Sequence, residues 1–135
     1  VLADDHVHIK RVATAQAASF VKIAVETYRT GEDVIATCKP LLYEFRTYTS
    51  RTIALVKYHT EVEAYIREAL APAPSRSVRR VDVYREEHQA RVIVERGTIA
   101  QFLGRKGMNA AVASKLTGYG LVLVDEADLG KTARA

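Results

Sequence analysis

Apolar and polar residues alternate at period two in two pairs of segments. His6–Val12 (HVHIKRV) and Phe20–Val25 (FVKIAV) form the first pair; Val78–Tyr84 (VRRVDVY) and Ala90–Glu95 (ARVIVE) form the second. Side chains two apart share one face of a strand, so each pair predicts a β-hairpin. Arg85–Gln89 is the turn of the second, whereas the link Thr14–Ser19 of the first carries no sharp turn signal. Thr52–Tyr58 is β-branched and apolar and predicts a further strand. Spacing of three and four replaces period two at Val62, Tyr65, Ile66 and Leu70, the apolar stripe of a helix that needs a partner surface. Thr60 and Glu63 read as its capping box, and Ala71-Pro72-Ala73-Pro74 ends it. A helix over Asp33–Cys38, with Glu32 and Asp33 at its positive end, is expected to break at Lys39-Pro40, with a second helix over Leu41–Thr49. The tail Asp125–Ala135 is polar and rich in small residues.

The chain is organised around Ile99–Val124, IAQFLGRKGMNAAVASKLTGYGLVLV. A short helix Ile99–Leu103, with Thr98 as its cap, leads into Gly104-Arg105-Lys106-Gly107. A second helix starts near Met108 and closes at Gly118, and an apolar strand follows. Glycine at both ends of the tetrapeptide lets the main chain approach a ligand without a Cβ in the way. Arg105 and Lys106 place positive charge at the tip, and the following helix aims its N–H groups and positive dipole end at the same spot. This is a layout suited to a phosphate backbone.

A G-x-x-G between two helices is how KH modules clamp single-stranded nucleic acid. The segment resembles the last KH unit of NusA-type transcription termination and antitermination factors. The matching features are an apolar helix ending in LGRKG, Asn109 after the second glycine, AxxASKLTG up to Gly118, and an aromatic-led strand. The resemblance extends back over most of the chain and weakens towards the N-terminus; the YIxxALxPA form of the helix at residues 65–73 belongs to it. It implies an α+β fold of two type II KH-like units, each a small mixed sheet with helices on one face. The divisions it implies are a degenerate KH-like unit over 1–59, a connecting helix and linker over 60–75, a KH domain with the GxxG loop over 76–125 and a flexible tail over 126–135. The first unit departs from the pattern. Lys39-Pro40-Leu41-Leu42 occupies its loop position, so its glycines are lost while the order of elements is kept.

Composition bounds the function. The apolar share of 48% suffices for a core, and one cysteine excludes an internal disulfide and fits a reducing, cytoplasmic setting. Cys38 reads as a buried structural residue rather than a reactive one. No apolar run is long enough to span a bilayer. Residues 1–72 are neutral overall, and the whole net charge of +4 lies in the half with the GRKG loop, which suits a polyanion partner. Arg76, Arg79 and Arg80 either extend that basic surface or are exposed strand arginines. His6 and His8 share a strand face, but no further ligand set completes a metal site, so they read as solvent-facing strand histidines. No catalytic constellation or cofactor motif is present.

By the resemblance, single-stranded RNA is the expected partner, in transcription elongation, termination or antitermination. RNA polymerase or ribosomal components come in only with a longer factor or as an adaptor. The candidate RNA-binding residues are Gly104, Arg105, Lys106 and Gly107 for the backbone. For the base groove they are Ile99, Phe102, Leu103, Asn109, Ala110 and Ile93, with Val94 as its neighbour. Leu103, Ala113 and Leu116 fall at core spacing. Phe102 stands where family members carry a small residue, and its ring either narrows the groove or stacks on a base. Met108 replaces a frequent glutamine. Two other readings remain open: a stand-alone KH adaptor for ribosomal or structured RNA, and a KH fold used as a protein-interaction module.

Overall fold

A computed structural model describes residues 7–14, 20–27, 33–48 and 52–129. Two three-stranded mixed sheets carry the fold. In the N-terminal sheet, β1 (Val7–Thr14) pairs antiparallel with β2 (Phe20–Thr27), and β3 (Thr52–Lys57) adds parallel to β2. The C-terminal sheet repeats this plan with β4 (Val78–Tyr84), β5 (Gln89–Val94) and β6 (Gly120–Asp125). Even the irregularity recurs: the hairpin register shifts between Ile9 and Arg11 in one sheet and between Val78 and Arg80 in the other. Both expected hairpins are therefore present, each one strand short of its sheet. The link residues 15–19 and His6 lie outside the described residues.

Helix α1 (Val34–Tyr48) joins β2 to β3. Asp33 caps it, Oδ1 accepting from the N–H groups of Ile35 (3.1 Å) and Ala36 (3.3 Å). The expected break at Lys39-Pro40 does not occur, and Pro40 lies inside one 15-residue helix. Proline removes one N–H, the one that would meet the Ala36 carbonyl, but packing outweighs that loss. Val34 and Cys38, one turn apart, are buried against Val25 of β2. Cys38 is thus a core residue.

Helix α2 (Val62–Ala69) buries Tyr65 and Ile66 of the expected stripe together with Ala69; Leu70, just past its end, is also buried and Val62 is half-buried. The capping box is not formed. Glu61 precedes the helix with no side-chain cap, and Glu63 instead pairs with Arg67 at 3.2 Å, one turn on. After β5 come α3 (Ile99–Leu103), a single tight turn at Arg105–Gly107, and α4 (Met108–Thr117).

Alternation along β2 explains the layering. Val25 meets α1, while Ala24, with Ala13 and Val56 of the neighbouring strands, joins the main core. That core also takes Tyr65, Ile66, Ala69 and Leu70 from the α2 segment, Val112, Ala113 and Leu116 from α4, and Ala90, Val92 and Val94 from β5. Helices α2 and α4 thus lie between the two sheets, touching both. The first sheet is covered on both faces, once by its own helix and once by helices of the second unit. Polar staples reinforce this contact. Leu116 O, near the end of α4, accepts from Tyr65 Oη (3.2 Å) and Arg11 Nη1 (3.4 Å), and Lys115 Nζ donates to Thr14 O (3.2 Å). Cations at helix C-termini suit the dipole there.

The described chain continues past β6 as far as residue 129. Asp125 Oδ1 caps a turn at Glu126–Asp128 through the Ala127 N–H (2.8 Å), and Glu126 Oε2 accepts from the Arg96 N–H (2.8 Å). The bond from Ala127, then the one from the Gly97 N–H at 3.1 Å, hold the Asp125 carboxyl below its usual range.

Candidate nucleic-acid interface

Helix α3 is only five residues long and stops at Gly104, whose φ of 74° and ψ of 179° suit glycine alone. Contact demands glycine there as well. A Cβ at Gly104 would lie 2.6 Å from Asn109 Cβ and 3.1 Å from Asn109 N. The chain then makes one turn, closed by Gly107 N–H to Gly104 O at 3.0 Å. Lys106 (φ 56°) and Gly107 (φ 73°) are both left-handed. For lysine this conformation costs about 1 kcal/mol or more, so the tip holds Lys106 in a strained shape. Helix α4 begins at once, with no side chain capping its start. Its N-terminus therefore faces the loop, as the sequence predicts.

The strand arginines on the second sheet are paired with carboxylates. Arg79 bridges Glu95 (3.1 Å) and Glu126 (3.4 Å), and Arg80 and Arg91 both pair with Asp82, at 3.0 and 3.3 Å. The strand arginines are thus compensated, while Arg76 is exposed. Arg105 and Lys106 are exposed, and among the described residues no acidic group bridges to either.

The groove candidates divide by burial. Leu103 is 40% exposed, and Ile99 and Ala110 are half-buried beside the loop. Phe102 is fully buried, reversing the expected order in α3: the ring fills the core and leucine faces out. A helix of one and a half turns has too few residues to fix its own phase, so the larger apolar volume takes the inside. The Phe102 ring thus presents no exposed face. Asn109 is 5% exposed, and Nδ2 donates to Leu70 O and Phe102 O, both at 2.9 Å. Ile93 is buried on β5, outside the cluster that Ala90, Val92 and Val94 join. These three stand behind the surface rather than on it. Thr98 does not cap α3; its hydroxyl donates to Glu95 O at 2.6 Å.

The sequence reading missed Lys22. It is fully buried on β2, with Nζ donating to Ala69 O at the end of α2. Burial pushes its ammonium down from 10.5 to about 7. The available signal was its place on the same strand face as Phe20 and Ala24. Among its described residues the first unit offers no counterpart to the GRKG loop, since Lys39 and Pro40 are exposed inside α1. Among the described residues no cluster of histidine, cysteine or carboxylate groups could hold a metal ion.

Residues 62–131, just over half of the chain, match the family described as NusA-like second KH domain. The match begins with the first residue of α2. Two transcription termination/antitermination proteins NusA are similar over nearly the whole chain. That of Halalkalibacterium halodurans is 28% identical over 93% of it, and that of Rickettsia prowazekii is 25% identical over 91%. The chain spans 33% and 25% of their respective lengths. The crystal structure of APE1850 has the same fold, with a TM-score of 0.56 and 17% identity, covering 89% of this chain and 88% of that one. The repeated sheets, the glycine-bounded basic turn at the start of α4 and the family match together establish that this chain is a NusA-type KH region and belongs to the NusA-like second KH domain family.

Proposed function

We propose that the chain binds single-stranded RNA at the Gly104–Gly107 tip and serves a NusA-like factor in transcription elongation, termination or antitermination. The observation that carries this reading is the tip itself. Two exposed cations sit on a backbone turn that only glycine allows, directly at an uncapped helix start. Arg105, Lys106 and the loop backbone meet phosphate, and Ile99, Leu103 and Ala110 form the apolar wall beside it. Phe102 and Asn109 hold that wall from behind. The names of the NusA relatives, which call them transcription termination/antitermination proteins, support the process. RNA polymerase would be reached through a longer protein of which this region is a part. No described helix is long and apolar enough to cross a membrane.

Titration of labelled single-stranded RNA against wild type and the Arg105→Asp, Lys106→Asp double variant tests the reading. Replacing both cations should weaken binding by about a hundredfold or more at low salt. It should also flatten the log–log salt dependence by at least about 1.4, the share of two phosphate contacts on a single strand. The melting midpoint should not fall, since both side chains are exposed. Equal affinity of the two proteins would contradict the reading and favour a protein-interaction module. The N-terminal unit has a helix in place of a phosphate loop, which favours a bracing role for it.

A further inference from the structure

Helix α2 ends between the two units, and its last carbonyls are held from opposite sides. Ala69 O accepts from Lys22 of β2, and Leu70 O accepts from Asn109 of α4 at 2.9 Å. The second hydrogen of the same amide goes to Phe102 O, also at 2.9 Å, two residues before the loop. Asn109 Cβ lies against Gly104, where any added side-chain atom would collide. One buried side chain therefore touches the end of α2, the end of α3 and the first residue of the loop. Its Oδ1 is buried without a hydrogen-bond partner. An unmet buried acceptor is costly, and an apolar residue would avoid it. The two carbonyls that the amide gathers are what this position gains in return.

We propose that Asn109 is a positioning residue for the phosphate-binding loop. By clamping Leu70 O and Phe102 O it fixes the turn at Gly104 and ties the loop to the inter-unit joint, which Lys22 closes from the first unit. This rests on the reading that the loop binds RNA, but the clamp also has consequences without RNA. The residue acts through the loop and not on the ligand, because its amide is buried and both of its hydrogens are used.

The test compares wild type, Asn109→Ala and Asn109→Ser in the full chain. Alanine removes both donors, and serine keeps one. Three quantities are read: backbone amide shifts without RNA, the melting curve, and affinity for a labelled random-sequence single-stranded RNA over a salt series. In Asn109→Ala the amides of Gly104–Gly107 should move while most of the core keeps its positions. RNA affinity should fall about tenfold, the scale of one or two hydrogen bonds. The salt slope should match wild type, because Arg105 and Lys106 still meet phosphate. Asn109→Ser should fall between the two, and it decides the matter if the alanine variant does not fold. Loop amides that stay in place, or shifts spread over the whole core with full affinity in the folded fraction, would overturn the proposal. Failure of wild type to bind RNA would instead sink the RNA reading and leave the loop amides to judge the clamp.

Discussion

Lys22 carries a charge into a place where burial opposes it. It lies on β2 under the end of α2, fully buried, with the Ala69 carbonyl as its acceptor and the Phe20 ring 5.7 Å away. Its folded pKa, about 7, is below the ordinary 10.5. The unfolded chain therefore binds a proton that the folded chain lacks between these values. The resulting term makes stability rise with pH from about 7 to 10.5 and stay at its low level below 7. Lys22→Met removes the buried ammonium and keeps the stem. Its melting midpoint should exceed wild type at pH 6, and the gap should narrow as pH approaches 10. A constant gap across that range would contradict the assignment. Single residues were also where sequence legibility ended. The glycines, Arg105 and Lys106 were readable because backbone freedom and charge are intrinsic to residue type. The inward turn of Asn109 was not, because its two acceptors come from chain segments 39 and 7 residues away.

At the scale of elements, strands were the most readable. Period two marked both hairpins, and each third strand was apolar enough to find. Helix α1 was not. Pro40 suggested a break, yet the helix runs through it, because burial of Val34 and Cys38 is a tertiary effect that local preference does not contain. Pro40 is exposed, so its cost is mainly that of the backbone. Pro40→Ala should stabilise the protein by about 1–3 kcal/mol, the usual penalty for proline inside a helix. Denaturant unfolding checks this, and an unchanged or lowered midpoint would mean that α1 depends on the proline. The capping box failed for a related reason. Glu63 has a better partner in Arg67, which also reaches Val78 O at 3.0 Å and so anchors α2 to the second sheet.

For the whole molecule, the two units divide the work. They share one plan of strands, down to the shift in the hairpin register, but among the described residues the glycine-bounded basic turn is found in the second alone. The first lays a sheet face over α2 and α4, and its cations reach the carbonyls that end those helices. The repeat of two KH-like units was legible from motif and order. Their mutual packing was not, since neither unit's sequence names the other's helices as its partner. The central claim is that RNA is gripped at one tip. Amide shift mapping during titration of the wild-type protein with single-stranded RNA tests it most directly. Gly104, Arg105, Lys106 and Gly107 should move first and furthest, with Ile99, Leu103 and Ala110 beside them and α1 unmoved. Saturating RNA that leaves residues 104–107 in place while shifting the N-terminal unit would contradict the account.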